Sequence, residues 1–449
     1  MPVTVPVSRE CEAYLNQFAR FEAGRRDGEW LRSLRRAAIA RFADLGFPTT
    51  RQEEWRFTNL APLVAVPFVP VEPASADEKQ IPASLRQPFG EWPCPTMVFV
   101  NGWFSPALSS LDGLPPGVVV CGLADVLETS PQQVEPFLAR VATDETHPFV
   151  ALNTAFLADG AFVYLPKGAV VDEPIHLLFL STAREHPSVA HPRTLIVAQA
   201  QSQATIVETY CGEPGAVSFT NAVTEIILGA NARLAHYQIQ RESLAGFFLS
   251  SLAVREERDA TFTDSQVSLG AALSRTDLTV VLDGEGSECT LQGFYLATGR
   301  QHVDYHTLIE HVKPHSTSRE IYKGILDDQA TGVFNGRIIV RPGAQKTDAR
   351  QTNKNLLLSE EALVNSNPQL EIYADDVKCT HGSAIGQLDA DALFYLRTRG
   401  IEEDAARQIL TYAFASDILG RIPIEPIRRT LEARLVTSGP DSRQKKEGV

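Results

Sequence analysis

Little in this sequence ties it to a membrane, a nucleic acid or an oxidising compartment. No apolar run approaches the roughly 18 residues of a membrane-spanning helix. Basic residues are in deficit: 41 Lys and Arg against 55 Asp and Glu leave a net charge of −14, whereas a nucleic-acid binder presents a basic face. The opening Met1-Pro2-Val3-Thr4-Val5-Pro6 lacks the basic-then-apolar order of a signal peptide, which leaves the cytoplasm as the expected compartment. The six cysteines, Cys11, Cys94, Cys121, Cys211, Cys289 and Cys379, are scattered without a Cys-x-x-Cys. No disulfide framework is expected, and each reads as a reduced, small buried side chain, Cys379 excepted. Common catalytic signatures are missing too: there is no G-x-x-x-x-G-K-[ST], G-x-G-x-x-G, G-x-S-x-G or H-E-x-x-H. A role in ATP-driven work would need an ATPase on another chain.

What is present divides into three parts. Residues 9–46 carry apolar positions at three- and four-residue steps, including Leu15, Phe18, Trp30, Leu34, Phe42 and Leu45, which predicts two helices broken near Gly24 and Asp27-Gly28 and stopped at Gly46 and Pro48. The proline-rich stretch from Pro67 to Pro73 reads as an extended linker. Thr96–Val100 reads as a strand entering a turn at Asn101-Gly102, and a helix is expected over 131–142. Trp55, Phe57 and Tyr322 are expected to anchor core. At the other end, helices are expected over Ala390–Arg399, Glu402–Leu419 and about 425–436, the second with Glu402, Glu403 and Asp404 at the positive end of its dipole. The tail Thr437–Val449 is polar and expected to be disordered. The expected domains are thus 1–149, helical and mixed; 150–388; and 389–449, helical with that tail.

Between about 150 and 388 helical periodicity disappears. Short β-branched runs such as Thr194–Ala198, Ala204–Tyr210, Leu234–Gln240 and Gly336–Val340 recur between Gly, Asp, Asn and Pro. Anchoring on the first positions after the turns gives Ala204, Ala232, Ala260, Glu288, Thr317, Thr347 and Cys379, at steps of 28, 28, 28, 29, 30 and 32 residues. A helix-free repeat of this length fits a solenoid of stacked coils; the alternative, a β-sandwich, would place turns at shorter and less regular intervals.

The sharpest chemical signal is Cys379-Thr380-His381-Gly382. Residues i and i+2 of a strand share a face, and thiolate with imidazole suits iron or zinc better than magnesium or calcium. Two ligands are half of the roughly four that a metal or cluster usually takes, so the pair reads as half of an interface site, its complement supplied by a second chain or by sulfide. The alternative is a packed Cys379 and a His381 bonded to a carbonyl. A second constellation, His302, His306, His311 and His315, is either a metal site or a hydrogen-bonded ladder, with Glu310, Arg319, Glu320 and Lys323 near enough to satisfy it.

These residues carry a resemblance. Glu54-Trp55-Arg56-Phe57-Thr58, the stretch from His302 to Leu326 with Pro314, Ser318, Tyr322 and Lys323-Gly324, then Phe334-Asn335-Gly336-Arg337-Ile338, Asn355–Leu358, Pro368–Ile372 and Leu393–Ile401 resemble the SufB/SufD family of iron–sulfur cluster assembly proteins, densely over 300–420. The resemblance implies a mainly β fold: a right-handed parallel β-helix flanked by N-terminal and C-terminal helical domains. It implies a non-catalytic scaffold that forms a heterodimer with SufB, docks the SufC ATPase through the helices at about 390–436, and can form a homodimer when isolated. It also implies a transient iron–sulfur cluster at the SufB interface, with His381 and Cys379 as the matching ligands; flavin association of the complex is not addressed by these residues. Gly382 stands where SufB has Glu, and SufB's N-terminal cysteine motif is absent. Both departures favour the SufD branch and put the main sulfur-accepting cysteine on the partner. Two other readings stay open: a β-helical enzyme such as a lyase or acyltransferase built on His302, His306 and Glu310, and a structural spacer without a metal role.

Overall fold

The computed structural model of the chain describes residues 9–71, 81–143 and 145–437. Its centre is a parallel β-solenoid of about eight coils, each coil giving one strand to each of two facing sheets. Arg193–Ala198, Ser218–Leu228, Phe247–Glu256, Leu273–Leu282, His302–His311, Thr331–Val340 and Leu363–Ile372 stack in order in one sheet. Gln203–Gly212, Arg233–Arg241, Thr261–Ser268, Glu288–Ala297, Thr317–Leu326, Asp348–Leu357 and Lys378–Gly386 stack in the other.

The repeat has a physical origin at one corner. Two residues before each of six successive strands in the second sheet the backbone turns left-handed: Gln201 (φ 63°), Asn231 (61°), Asp259 (55°), Gly286 (73°), His315 (62°) and Lys346 (64°). That conformation costs most residues but reverses the chain in one step. Each corner N–H donates to a carbonyl of the next coil's corner, as Asn231 does to Arg258 and His315 to Gln345, so the turns stack with the strands. The register column through the expected anchors is Ala204, Leu234, Phe262, Cys289, Ser318, Ala349 and Cys379. Four of the turn anchors (Ala232, Ala260, Glu288 and Thr317) therefore lie one or two residues early, as does Thr347, but the coil length is as expected.

Alternation does the rest. Inward residues fill one continuous apolar core, in which Phe99, Phe179 and Tyr210 stack face to face along the axis with centroids 4.7 Å apart at each step. The outer face of the first sheet is covered by the N-terminal helices Arg9–Ala23 and Glu29–Leu45 with Pro148–Ala155. That of the second is covered by Glu403–Leu419 and Glu425–Thr437, whose Ala415, Ile418, Leu419 and Ile427 pack on Phe294, Leu296 and Ile325.

The ends of the solenoid differ. At its start, Val119–Gly122 pairs antiparallel with Gly160–Leu165, and Trp103–Phe104 pairs antiparallel with Thr96–Val100. At its finish, Leu363–Ile372 and Lys378–Gly386 are the last strands of their sheets, with a hydrogen-bonded neighbour on one side.

Four expectations are corrected. Residues 131–142 are not a helix: after a short 3-10 turn at Pro131–Gln133 the chain coils so that the N–H groups of Ala139, Arg140, Val141 and Ala142 all donate to the Glu225 carboxylate at 2.8–3.1 Å. The proline-rich linker is tied down, with Val69–Pro70 pairing Ser188–Val189; its Pro73 lies outside the described residues. Phe57 is 43% exposed, whereas Trp55 and Tyr322 are buried as expected. The tail from 438 onward also lies outside the described residues. All six cysteines are free; Cys94 and Cys121 are half-buried rather than buried, and Cys379, excepted from that expectation, is half-buried.

Candidate functional site

Cys379 and His381 lie on Lys378–Gly386, the last strand of its sheet, in register with Ala349 and Gln351 of the coil beneath. Their two-residue spacing puts both on the face that earlier coils turn to the interior. Because no further coil covers them, Cys379 is only half-buried, resting on the end of the core, and His381 is exposed. Burial pushes the Cys379 thiol up, and the nearby Asp348 charge adds to this against a backbone hydrogen bond from Ala349. A cation is thus needed to draw out the thiolate that binds metal. Among the described residues no group of three or more His, Cys, Asp or Glu side chains is placed to hold a metal ion; this chain brings a pair to the edge.

Sequence reasoning missed what lies beneath. The register column under His381 runs Gln351, Glu320, Leu291, Asp264, His236 and Ile206. Four of these six are polar, and all are sealed in the coil interior. Gln351 Nε2 donates to Glu320 at 2.6 Å, and Thr307 Oγ1 donates to its other oxygen at 2.6 Å. Burial pushes Glu320 up to about 7 against those two hydrogen bonds. Deeper in the column, burial alone would lower His236, but its hydrogen bonds to Asp264, at 2.7 Å, and to Glu208 outweigh it and raise it to about 9. The available signal was the polar residue at an inward position of an otherwise apolar strand, as in Ile206-Val207-Glu208.

The four histidines do not form one ladder. His302, Asp304 and His306 share the outer face of their strand and meet the Glu53–Thr58 segment there. His302 Nε2 donates to Thr58 Oγ1 (2.8 Å), which donates to Asp304 (2.5 Å). His306 lies 3.1 Å from Asp304 and 3.3 Å from Glu54; burial opposes its charge, but the Asp304 carboxylate beside it prevails and raises it to about 9. Arg275 pairs with Asp304 at 2.9 Å and Asp277 at 2.7 Å and stacks 3.7 Å over the Trp55 ring, a desolvated cation–π contact. His311 points inward and bonds to Ser316 and Ser318 at 2.7 and 3.0 Å, and His315 is a corner residue. Glu310 pairs with Arg341. Each candidate for a base is engaged in fastening the chain, with His306 between cavities of about 260 and 290 Å³.

At the C-terminal end, Lys323 Nζ donates to the Phe414 carbonyl at 2.9 Å, pairs with Asp417 and stacks 4.6 Å over the Phe414 ring. This clasp fixes Glu403–Leu419 to the strand that carries Glu320. The preceding helix, Ala390–Thr398, has no buried residue and exposes Phe394 and Tyr395.

Residues 179–414 match the family described as the SufBD core domain of SUF system FeS cluster assembly, and residues 11–177 match the SufBD protein N-terminal region. The chain is 36% identical over 409 residues to an iron–sulfur cluster assembly SufBD family protein of Synechocystis sp., covering 88% of each. It is 30% identical over 392 residues to the iron–sulfur cluster assembly protein SufD of Escherichia coli, covering 87% of this chain and 89% of that one. Against the iron–sulfur cluster assembly protein SufD of Bacillus subtilis the identity is 27% over 430 residues, with 92% and 94% covered.

Proposed function

The chain belongs to the SufBD family of iron–sulfur cluster assembly proteins, and from that premise we propose that it is the SufD-type scaffold subunit, joined to SufB through the open end of its solenoid. The observation that carries this is the difference between the two ends. The first end finishes in short antiparallel edge strands of two and four residues, while the last coil leaves full-length parallel edges of ten and nine residues bare, with Leu363 (55%), Tyr373 (57%) and Ile385 (47%) exposed around them. Bare edge strands template pairing with another chain, and solenoids need their terminal coils capped.

In this reading Cys379 and His381 are ligands to a nascent cluster, which is the cargo of the complex and not a resident group. The two side chains suit such cargo, because a thiol and an imidazole stand on one face, reachable from outside and too few to hold iron without the partner. The SufC ATPase docks on the C-terminal helices, where the apolar side chains of Phe394, Tyr395 and Ile409 are exposed. Dimerisation of two SufC subunits on ATP would pull on these helices, and the Lys323 clasp would carry the pull into the strand of Glu320, two register steps beneath His381.

The test is reconstitution with coexpressed SufB and SufC. Cys379→Ser and His381→Ala should leave the three-protein complex intact on size exclusion, since the pairing rests on the backbone edges of the two last strands and neither substitution removes a backbone hydrogen-bonding group. Cluster formation from iron and sulfide, followed by visible absorption, should fall several-fold. Full cluster formation by the double variant would remove the ligand role, and failure of the chain to join SufB would remove the scaffold reading.

A further inference from the structure

Near the closed end, far along the solenoid from Cys379, a cavity of about 440 Å³ lies between helix Arg9–Ala23, the turn at Asn101-Gly102 and strand Ser188–Ala190. Phe21, Trp103 and Phe156 line it with His191, whose ring stacks on Phe156 at 5.2 Å and 19°. This size and lining are those of a small-molecule pocket.

The polar groups specify what it takes. Asn221 Nδ2 donates to the Phe149 carbonyl at 2.9 Å and to His191 Nδ1 at 3.1 Å. The carbonyl fixes the amide orientation, because a flipped amide would set oxygen against oxygen. His191 Nδ1 is therefore an acceptor. Burial keeps this imidazole neutral, lowering it to about 3, so its proton resides on Nε2, a buried donor with no partner among the described residues. Gln17 presents the converse: its Nε2 donates to the Phe68 carbonyl at 2.8 Å, which leaves Oε1 a buried acceptor without a donor among the described residues. Of the charged groups on the wall, Asp159 is engaged by the N–H groups of Phe104, Ala124 and Gly160 and Arg25 by Asp27, while Arg20 is exposed.

We infer that this cavity binds a small planar heterocycle that carries a ring carbonyl and a ring N–H together with an anionic substituent. The carbonyl accepts from His191 Nε2–H, the N–H donates to Gln17 Oε1, the aromatic side chains take the ring, and Arg20 faces the anion.

Isothermal titration of the full chain with GMP and UMP, with AMP as the control whose base has neither group, tests this. GMP or UMP should bind with Kd of about 100 μM or tighter, AMP at least about fivefold weaker. His191→Phe keeps the ring on Phe156 and removes the donor; it should weaken GMP or UMP at least about fivefold. Arg20→Ala, at an exposed position, should abolish the preference of the pocket for GMP over guanosine. No saturable binding of GMP or UMP up to about 1 mM, or equal binding by both variants, would overturn the assignment.

Discussion

Glu320→Gln probes whether the interior column under His381 is neutral. In the folded chain burial raises this carboxyl from 4.5 to about 7. Below pH 4.5 the carboxyl is protonated whether the chain is folded or not, and burial costs nothing in proton linkage. As pH rises from 4.5 to 7 the unfolded chain ionises first, so the folded state loses stability across that window, and above 7 the full cost of about 3 kcal/mol is present. Glutamine has the same shape and no proton to lose. Its carbonyl accepts from Thr307, and its amide can donate to Gln351 once that side chain turns its unpartnered Oε1 inward. The gain of the variant over wild type should therefore be about 2–3 kcal/mol larger at pH 8 than at pH 5. Urea unfolding followed by far-UV circular dichroism at both pH values measures it. Subtracting one chain from the other removes the shared titrations of His236, which stabilises the fold up to about pH 9, and Glu242, which burial also raises to about 7. A difference below about 1 kcal/mol, or one of opposite sign, would mean that Glu320 is a stabilised anion and the column is charged.

Glu225→Ala should destabilise the chain by about 3–5 kcal/mol in the same assay, because it strands the buried Arg193 guanidinium and the four N–H groups of 139–142 together; a loss under about 1 kcal/mol would contradict the capping role, and Glu225→Gln should cost less. Lys323→Met should release helix Glu403–Leu419 from the solenoid and speed its amide hydrogen exchange roughly 10- to 100-fold, the equivalent of about 1–3 kcal/mol, while the coils keep their protection. Exchange unchanged in that helix would show that Ile418 and Leu419 hold it without the clasp.

The coil length was legible because one left-handed corner per coil recurs at nearly constant spacing. The exact register was not, because the corner is occupied in turn by Gln201, Asn231, Asp259, Gly286, His315 and Lys346, and no single residue type marks it. The shared face of Cys379 and His381, and of His302 and His306, followed from a period of two. What alternation cannot convey is which inward residues meet across coils: Glu320 and Gln351 are 31 positions apart and touch only through register. The coil at 139–142 was opaque for the same reason, since the carboxylate that organises it arrives from Glu225, more than eighty residues later. Phe57 misled because an aromatic beside the buried Trp55 looks like core, yet only one of the two faces Arg275.

The asymmetry of the ends bears on how many chains can join. A solenoid open at both ends would stack head to tail, and such heterologous contacts run on into filaments. Here the first end finishes in antiparallel edge strands of only four and two residues, whereas the last ends in parallel strands of ten and nine, so the two ends do not match in a head-to-tail stack. In the proposed assembly the long edge is covered by another long edge, a contact that closes at two subunits. In that proposal the partner is a second copy of this chain or a SufB-type subunit offering a matching edge. The geometry of that contact also answers the ligand count. One chain brings a thiol and an imidazole two residues apart on the face of its last strand, and in the proposed pairing a partner would bring its own last strand against them. Two half-sites would then meet across the junction and approach the roughly four ligands that iron and sulfide require. A cluster site that exists only while two edges are in contact can also be opened by shifting one edge, which gives the helices fastened by Lys323 a mechanical route to it.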